Sequence, residues 1–269
     1  VTTEELRDAI LSLPPLADAA PPRFSWAFRR ADLRNMLLTR DPHDFLTWPV
    51  VTEALFVGNA PWLLAEWDAL VAQPDFLSRW RGLLTETGAG KPPRYPAAEY
   101  TSGNLIHQCY YLLEWEKASG RKLADLGSVL EIGAGYGAMA RIVLQAMKWM
   151  PYAIHDFPEL ALLQKWYLEK TETDNLLRRA RWTDLNAYRS TYSPDLLIAC
   201  CSLDEMPIEE RECLLLYVQP HSVLVVYHDN WDGVDNTAWF HKWARRTGLT
   251  WEWKYLAHVE NMWIGVGHE

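Results

Sequence analysis

The sequence predicts an α/β chain: a doubly wound, mostly parallel seven-stranded sheet closed by an antiparallel C-terminal hairpin, with a helical region in front of it. Three observations carry this. From Gly127 onward short apolar runs alternate with helical periods, the pattern of a parallel sheet with crossover helices on both faces. The last two apolar runs follow one another with no helix between them, which an antiparallel pairing closes. Up to about residue 127 the pattern is helical and punctuated by proline, the last helix ending at Lys117. The division expected is therefore 1–117, a helical N-terminal region, and 118–269, the sheet domain.

In the first region the periodicity predicts helices over Glu4–Leu13, Arg30–Thr39, Pro61–Ala72, Asp75–Thr87 and Asn104–Lys117. Pro14, Pro15, Pro21 and Pro22 frame a linker-like stretch, and GAGKPPRYP (Gly88–Pro96) is the clearest loop, rich in breakers. In the second, SVLEI, PYAIHD, RARWTD, PDLLIACC and HSVLVVYHD read as strands. Helices over Ala138–Trp149, Pro158–Lys170, Ile208–Val218 and Asn236–Thr247 alternate with them. TWEWKYLA (Thr250–Ala257) and MWIGVG (Met262–Gly267) supply the closing hairpin.

With 269 residues, 49% of them apolar, the chain has material for a core that needs no staples. The 26 basic residues face 35 acidic ones, a formal net charge of −9. That balance argues against nucleic acid or an anionic membrane as partner. Cys109, Cys200, Cys201 and Cys213 show no zinc-ligand spacing and read as free thiols of a reducing compartment. Val1–Ile10 has no signal-peptide pattern, and the longest apolar runs fall well short of the ~20 residues that span a bilayer. A cytoplasmic protein is expected. The 15 Trp, more than Phe or Met, stand out.

The sharpest local signal is VLEIGAGYGAMARIVL, Val129 to Leu144. A strand ends in Glu131-Ile132, then Gly133, Gly135 and Gly137 lead into a helix. Glycines there let the backbone turn sharply and let a ligand come closer than a Cβ allows. Two cofactor classes use such a turn. Gly133-x-Gly135-x-x-Ala138 satisfies dinucleotide spacing, with pyrophosphate at the helix N-terminus. Glu131 weighs against it: a carboxylate suits a ligand bearing an amine or hydroxyls and opposes two phosphates.

Glu131 with its three glycines resembles the first motif of class I S-adenosylmethionine (SAM) methyltransferases, and Asp156, ending the next strand, matches their second acid. The closing hairpin resembles the antiparallel seventh strand of that Rossmann-like fold; the likeness covers roughly residues 100 to 269. LEIGAGYGAMARIV, YAIHDFPELALLQKWYLE and CSLDEMPIEE together resemble a narrower group, the sugar O-methyltransferases. The resemblance implies SAM as cofactor, with Glu131, Gly133 and Gly135 lining its methionine and Asp156 holding both ribose hydroxyls. It places Phe157 beside the adenine, Asp184 at the adenine amino group, and Cys201 and Ser202 beneath the reactive methyl. The Asn-Pro-Pro-Tyr run of amine methyltransferases is absent, which favours an oxygen acceptor. A sugar is implied, such as a mannose or methylmannoside in polysaccharide assembly. Gly137 fits turn geometry better than ligand contact, and Phe157 equally fits packing.

Methyl transfer to a hydroxyl needs the acceptor oxygen about 3 Å from the methyl and a base for its proton. His228, ending the fifth strand, is the leading general base, with a loop-capping role as the alternative. Glu205 is the second candidate base, or the group that orients the sugar. Asp204 and Glu205 fit N-capping of the following helix equally well. Asp204, Glu205 and Asp229 together suit Mg²⁺, which takes oxygen ligands. Tyr100 and Asn104, before a helix, are candidates for the methionine carboxylate; the same segment also makes a plain helix start. His107 reads as a core histidine, and His43, His221, His241, His258 and His268 receive no role. Trp62, Trp67, Trp182, Trp231, Trp253 and Trp263 lie near loops or strand ends, where an indole can stack on a sugar ring. Trp149, Trp166, Trp243 and Trp251 fit core positions.

The sequence thus favours a SAM-dependent O-methyltransferase acting on a small or oligosaccharide sugar acceptor. The alternatives are an NAD(P)-dependent reductase and a non-catalytic SAM-fold binding module. The N-terminal helices offer a lid or a homodimer surface.

Overall fold

The structure is a computed structural model that describes residues 1–16, 25–147, 151–171, 176–185 and 190–269. Trp149 and the prolines at 21 and 22 lie outside the described residues.

Helix α1 (Thr3–Leu11) opens on a capping box: the Thr2 hydroxyl accepts the Glu5 N–H and the Glu5 carboxylate accepts the Thr2 N–H. Then come α2 (Trp26–Thr39), a 3₁₀ turn (Pro42–Thr47), α3 (Pro49–Ala54) and α4 (Leu63–Val71). A π turn (Phe76–Trp80) runs into α5 (Arg81–Leu83), where one longer helix is predicted. The 3₁₀ turn and α3 are not foreseen by periodicity. Pro42 and Pro49 each start them, with the fixed φ that suits a first helical position. Helix α6 (Gly103–Ser119) is capped by Ser102 and stopped by Gly120 in the left-handed region.

The sheet follows in β1 (Val129–Ile132), β2 (Tyr152–His155), β3 (Ala180–Trp182), β4 (Leu196–Cys200) and β5 (Ser222–His228). A two-stranded ribbon, β6 (Asn230–Trp231) with β7 (Val234–Asp235), comes next, and β8 (Thr250–Tyr255) and β9 (Met262–His268) close the chain. Helices α7 (Ala138–Ala146), α8 (Pro158–Lys170), α9 (Leu176–Arg179), α10 (Ile208–Leu215) and α11 (Asn236–Thr247) lie between strands. Strand order is β3-β2-β1-β4-β5-β9-β8, seven strands, with the first five parallel and β9 antiparallel to both neighbours. This is the doubly wound, Rossmann-like sheet with the predicted closing hairpin.

Strand alternation divides the core in two. Val129, Ile154, Ile198, Leu224 and Ile264 face one cluster, with α6, α7 and α8. Leu130, Ala153, Leu197, Val223 and Tyr227 face the other, with α10 and α11. The first cluster also takes in Leu6, Leu33, Leu37 and Leu63, so one apolar core runs from α1 through to β9. Buried Arg141 on α7 ties the segment before α6 to the sheet layer: it donates to Glu86 and to the Thr85 carbonyl, while Ser102 donates to the other Glu86 oxygen. Among the described residues no helix is long and apolar enough to cross a membrane.

Candidate active site

Strand order reverses between β1 and β4, and ligands in such sheets bind outside the carboxyl ends at that point. The parallel register brings Glu131, His155, Cys200 and His228 to this edge.

The glycine loop leaves β1 here. Gly133, Gly135 and Gly137 all have positive φ, and a Cβ on Gly133 would land inside the Cβ of Ser202. The β1 and β4 turns therefore approach more closely than any other residue at 133 permits. Ser202 donates to the Ile132 carbonyl at 2.6 Å, and Cys201 beside it is held at φ +50, a strained conformation for a non-glycine residue. Glu131 is buried and accepts from the Tyr152 hydroxyl at 2.7 Å; burial pushes its carboxyl up to about 8.

Asp156 sits just past β2. Its Oδ1 accepts the Phe157 N–H at 2.7 Å and its Oδ2 accepts Gln164 Nε2 at 2.7 Å. Burial raises it to about 7 against these bonds, which favour the charged form. Gln164, on α8, also donates to the Gly135 carbonyl at 2.9 Å and accepts the Trp182 indole N–H at 2.8 Å. Phe157 is half-buried, with Trp26 at 5.8 Å between ring centroids and the Arg30 guanidinium 4.4 Å above its ring. Asp184 is exposed just past β3; burial holds His155 below the ordinary imidazole value, with the Thr183 carbonyl and Asp184 opposing that shift.

Beyond β4 and β5 lies a second group. His228 Nδ1 is 2.7 Å from Asp204 Oδ2, and the His228 backbone N–H donates to the same oxygen at 3.0 Å. Asp204 is fully buried, and this pairing holds the imidazole above its ordinary value. A carboxylate on Nδ1 keeps the proton there and leaves Nε2 as the basic nitrogen. The loops carrying the pair are locked by Arg211, which donates to the Asp204 carbonyl and to Asn236, while Asn236 donates to the His228 carbonyl. Trp231 lies 5.1 Å from the imidazole, ring to ring. Glu205 accepts the Trp26 indole N–H at 2.6 Å and has Arg29 at 4.0 Å; burial and the neighbouring Asp204 raise it to about 7. Neither acid caps α10, which starts at Pro207 without a side-chain bond.

Several expectations change here. The Mg²⁺ reading of Asp204, Glu205 and Asp229 is not supported: Asp204 is held by His228, Glu205 by Trp26, and Asp229 by the Thr237 hydroxyl. Among the described residues no group of three or more His, Cys, Asp or Glu comes together to hold a metal ion. Asn104 is buried with its amide engaged inside the protein, accepting the Val57 N–H and donating to Tyr136 of the glycine loop. Tyr100 packs against Trp67 and the Arg81 guanidinium. Of the loop tryptophans only Trp231 borders His228; Trp253 stacks on Trp251, Trp263 meets Tyr255 and Trp67 meets Phe76 edge-on, and Trp182 bonds Gln164. Trp62 packs on His107 and His258, whose rings share the buried Glu66 carboxylate.

Sequence reasoning missed Trp26 and Gln164. Helical periodicity carries no information on which distant loop a residue covers. DFPELALLQ gave the one available signal for Gln164, an amide directly after Leu163 on the buried stripe of α8.

No protein-family model matches the chain, and no curated protein does. Among solved structures it is similar to the methyltransferase domain of bacterial CtHen1, with 12% identity, a TM-score of 0.48, and coverage of 61% of this chain and 97% of that one. It is also similar to the mitomycin 7-O-methyltransferase MmcR, with 13% identity, a TM-score of 0.43, and coverage of 78% and 69%. An O-methyltransferase family protein from Burkholderia thailandensis shows 13% identity and a TM-score of 0.45, over 61% and 58%.

Proposed function

We propose that the protein is a SAM-dependent methyltransferase acting on a hydroxyl, with a sugar as the acceptor class. The single observation that carries this is the pairing, on one sheet edge, of a glycine loop flanked by two acids with a histidine oriented by a buried aspartate. Glu131, Gly133 and Gly135 suit the methionine end of SAM, and Asp156 its ribose. Both oxygens of Asp156 are held by donors, Phe157 N–H and Gln164, and the Ala134 and Gly135 backbone N–H groups also favour its charged form, which sets the carboxylate that would meet the ribose hydroxyls. Two acids at this turn offer pyrophosphate, the ligand a dinucleotide reductase would need, no positive partner and repel it as either ionises.

Bound there, SAM supplies an electrophilic methyl on its sulfonium. His228 Nε2 takes the acceptor hydroxyl proton, and Asp204 stabilises the imidazolium that results. Glu205, under Trp26, orients a neighbouring hydroxyl, and Trp231 offers a flat face beside the base. Helix α2 roofs both parts of the site through Trp26 and Arg30. The sugar class rests on these indoles and carboxylates together with the sequence resemblance. Incubation with SAM and a panel of mono- and oligosaccharides, read as release of S-adenosylhomocysteine, tests it. Turnover with hydroxyl acceptors supports the reading; silence across the panel despite tight SAM binding favours a non-catalytic module.

A further inference from the structure

We infer that Gln164 is a positioning residue for the cofactor ribose, acting by clamping Asp156 to the glycine loop. This rests on the SAM reading and goes beyond it: α8 lies within one of the segments that carry the resemblance, but that reading gives Gln164 no role. Gln164 is fully buried. Its amide nitrogen has two hydrogens, and they go to Asp156 Oδ2 at 2.7 Å and the Gly135 carbonyl at 2.9 Å. Its oxygen accepts the Trp182 indole N–H at 2.8 Å. An indole nitrogen only donates, so the amide cannot flip without setting two donors against each other and two acceptors against each other. The clamp is thus locked in the one orientation that presents a donor to Asp156.

Three strand ends meet at this side chain: the β1 turn through Gly135, the β2 end through Asp156, and β3 through Trp182. The Gly137 turn packs on it as well, since a Cβ there would meet Gln164 Cγ at 3.5 Å. A carboxylate that must bind two vicinal hydroxyls needs a fixed plane, and Phe157 N–H with Gln164 fixes both oxygens. Without the clamp Asp156 keeps the Phe157 N–H on Oδ1 but loses the side-chain donor that fixes Oδ2, and with it a bond that offsets its desolvation.

The charged and titratable groups around the clamp are Asp156, Glu131 and His155 from the strands, and Lys165, whose ammonium lies 4.9 Å over the Trp182 ring. Gln164→Glu keeps the shape but sets two carboxylates together. When the pair shares one proton it can still bridge Asp156 and Trp182; when both ionise it cannot.

The experiment is calorimetric binding of S-adenosylhomocysteine and of its 2′,3′-dideoxy analogue to the native protein, Gln164→Leu and Gln164→Glu. For the native protein the ribose hydroxyls should matter, and Gln164→Leu should lower affinity for the intact ligand roughly tenfold or more. Its affinity for the dideoxy analogue should stay near native. Gln164→Glu, relative to native at each pH, should bind poorly at about pH 9 and recover toward about pH 6. Equal losses for both ligands in Gln164→Leu would show mere structural damage and overturn the inference. So would a pH-independent ratio for Gln164→Glu, which carries the test alone if the leucine variant does not fold. A native protein that binds neither ligand removes the SAM reading itself, an outcome distinct from these.

Discussion

His228 and Asp204 show how a residue's chemistry is set by its partners. His228→Ala should lower kcat by roughly 10²- to 10⁴-fold, the range for a general base, with SAM affinity unchanged. An unchanged kcat would remove it as base. The base works only when neutral, so activity should fall as pH drops through a His228 pKa lying above the ordinary imidazole value. Asp204→Asn removes the cause of that rise, so the acid limb of the kcat profile should move to lower pH and the rate at its plateau should fall. The stability sign is the opposite of the activity sign. A raised folded-state pKa means the pair stabilises fully below about 6.5 and the contribution is lost as pH rises through the folded value. Glu131 follows the same sign for another reason: burial disfavours its ionised form and moves it to about 8. Glu131→Gln should therefore raise the melting temperature of the unliganded protein at pH 9 by a few degrees, at about 2–4 °C per kcal/mol, while weakening SAM. A lowered melting temperature would contradict this. At this scale His228, Glu205, Glu131 and Asp156 were legible as strand-end polar groups. Trp26 was not, because it acts on a loop remote in sequence, and Gln164 was not, because helical periodicity does not show that an amide turns back on the acid eight residues before it.

Helix α2 meets the candidate site through Trp26 on Glu205 and Arg30 over Phe157. It is fastened to α8 by Arg30 and Arg34, both paired with Glu159, a fully buried carboxylate. Removing both arginines leaves that charge uncompensated, which costs on the order of 3–5 kcal/mol. Arg30→Ala/Arg34→Ala should thus lower the melting temperature by on the order of 10 °C, and a shift under about 2 °C would show that α2 is held otherwise. Trp26→Phe should leave the fold and SAM affinity alone and raise the acceptor KM, since it strips Glu205 of its indole donor. Helices α8 and α11 were legible with their ends because Pro158 opens the one and Gly248 stops the other. The stretch Pro42–Ala54 was not: two short turns started by prolines carry too few residues to show a period. The β6–β7 ribbon escaped for the same reason, at two residues per strand.

At the scale of the whole molecule, alternation of strands and helices gave the parallel sheet, and the missing helix before β9 gave the reversed strand. The packing of the N-terminal helices into the same core was not legible, because apolar stripes do not name their partners. The charge of −9 leaves little basic surface for nucleic acid. Saturating cofactor at 100 times its Kd should add about 2.7 kcal/mol of stability, a rise of roughly 5–10 °C in melting temperature. The most direct test is a calorimetric titration of SAM, S-adenosylhomocysteine and NADH into the native protein and Asp156→Ala. One molar equivalent of either SAM species should bind the native chain, with affinity at least about tenfold weaker in Asp156→Ala and no heat from NADH. Binding of NADH with none of either SAM species would contradict the account.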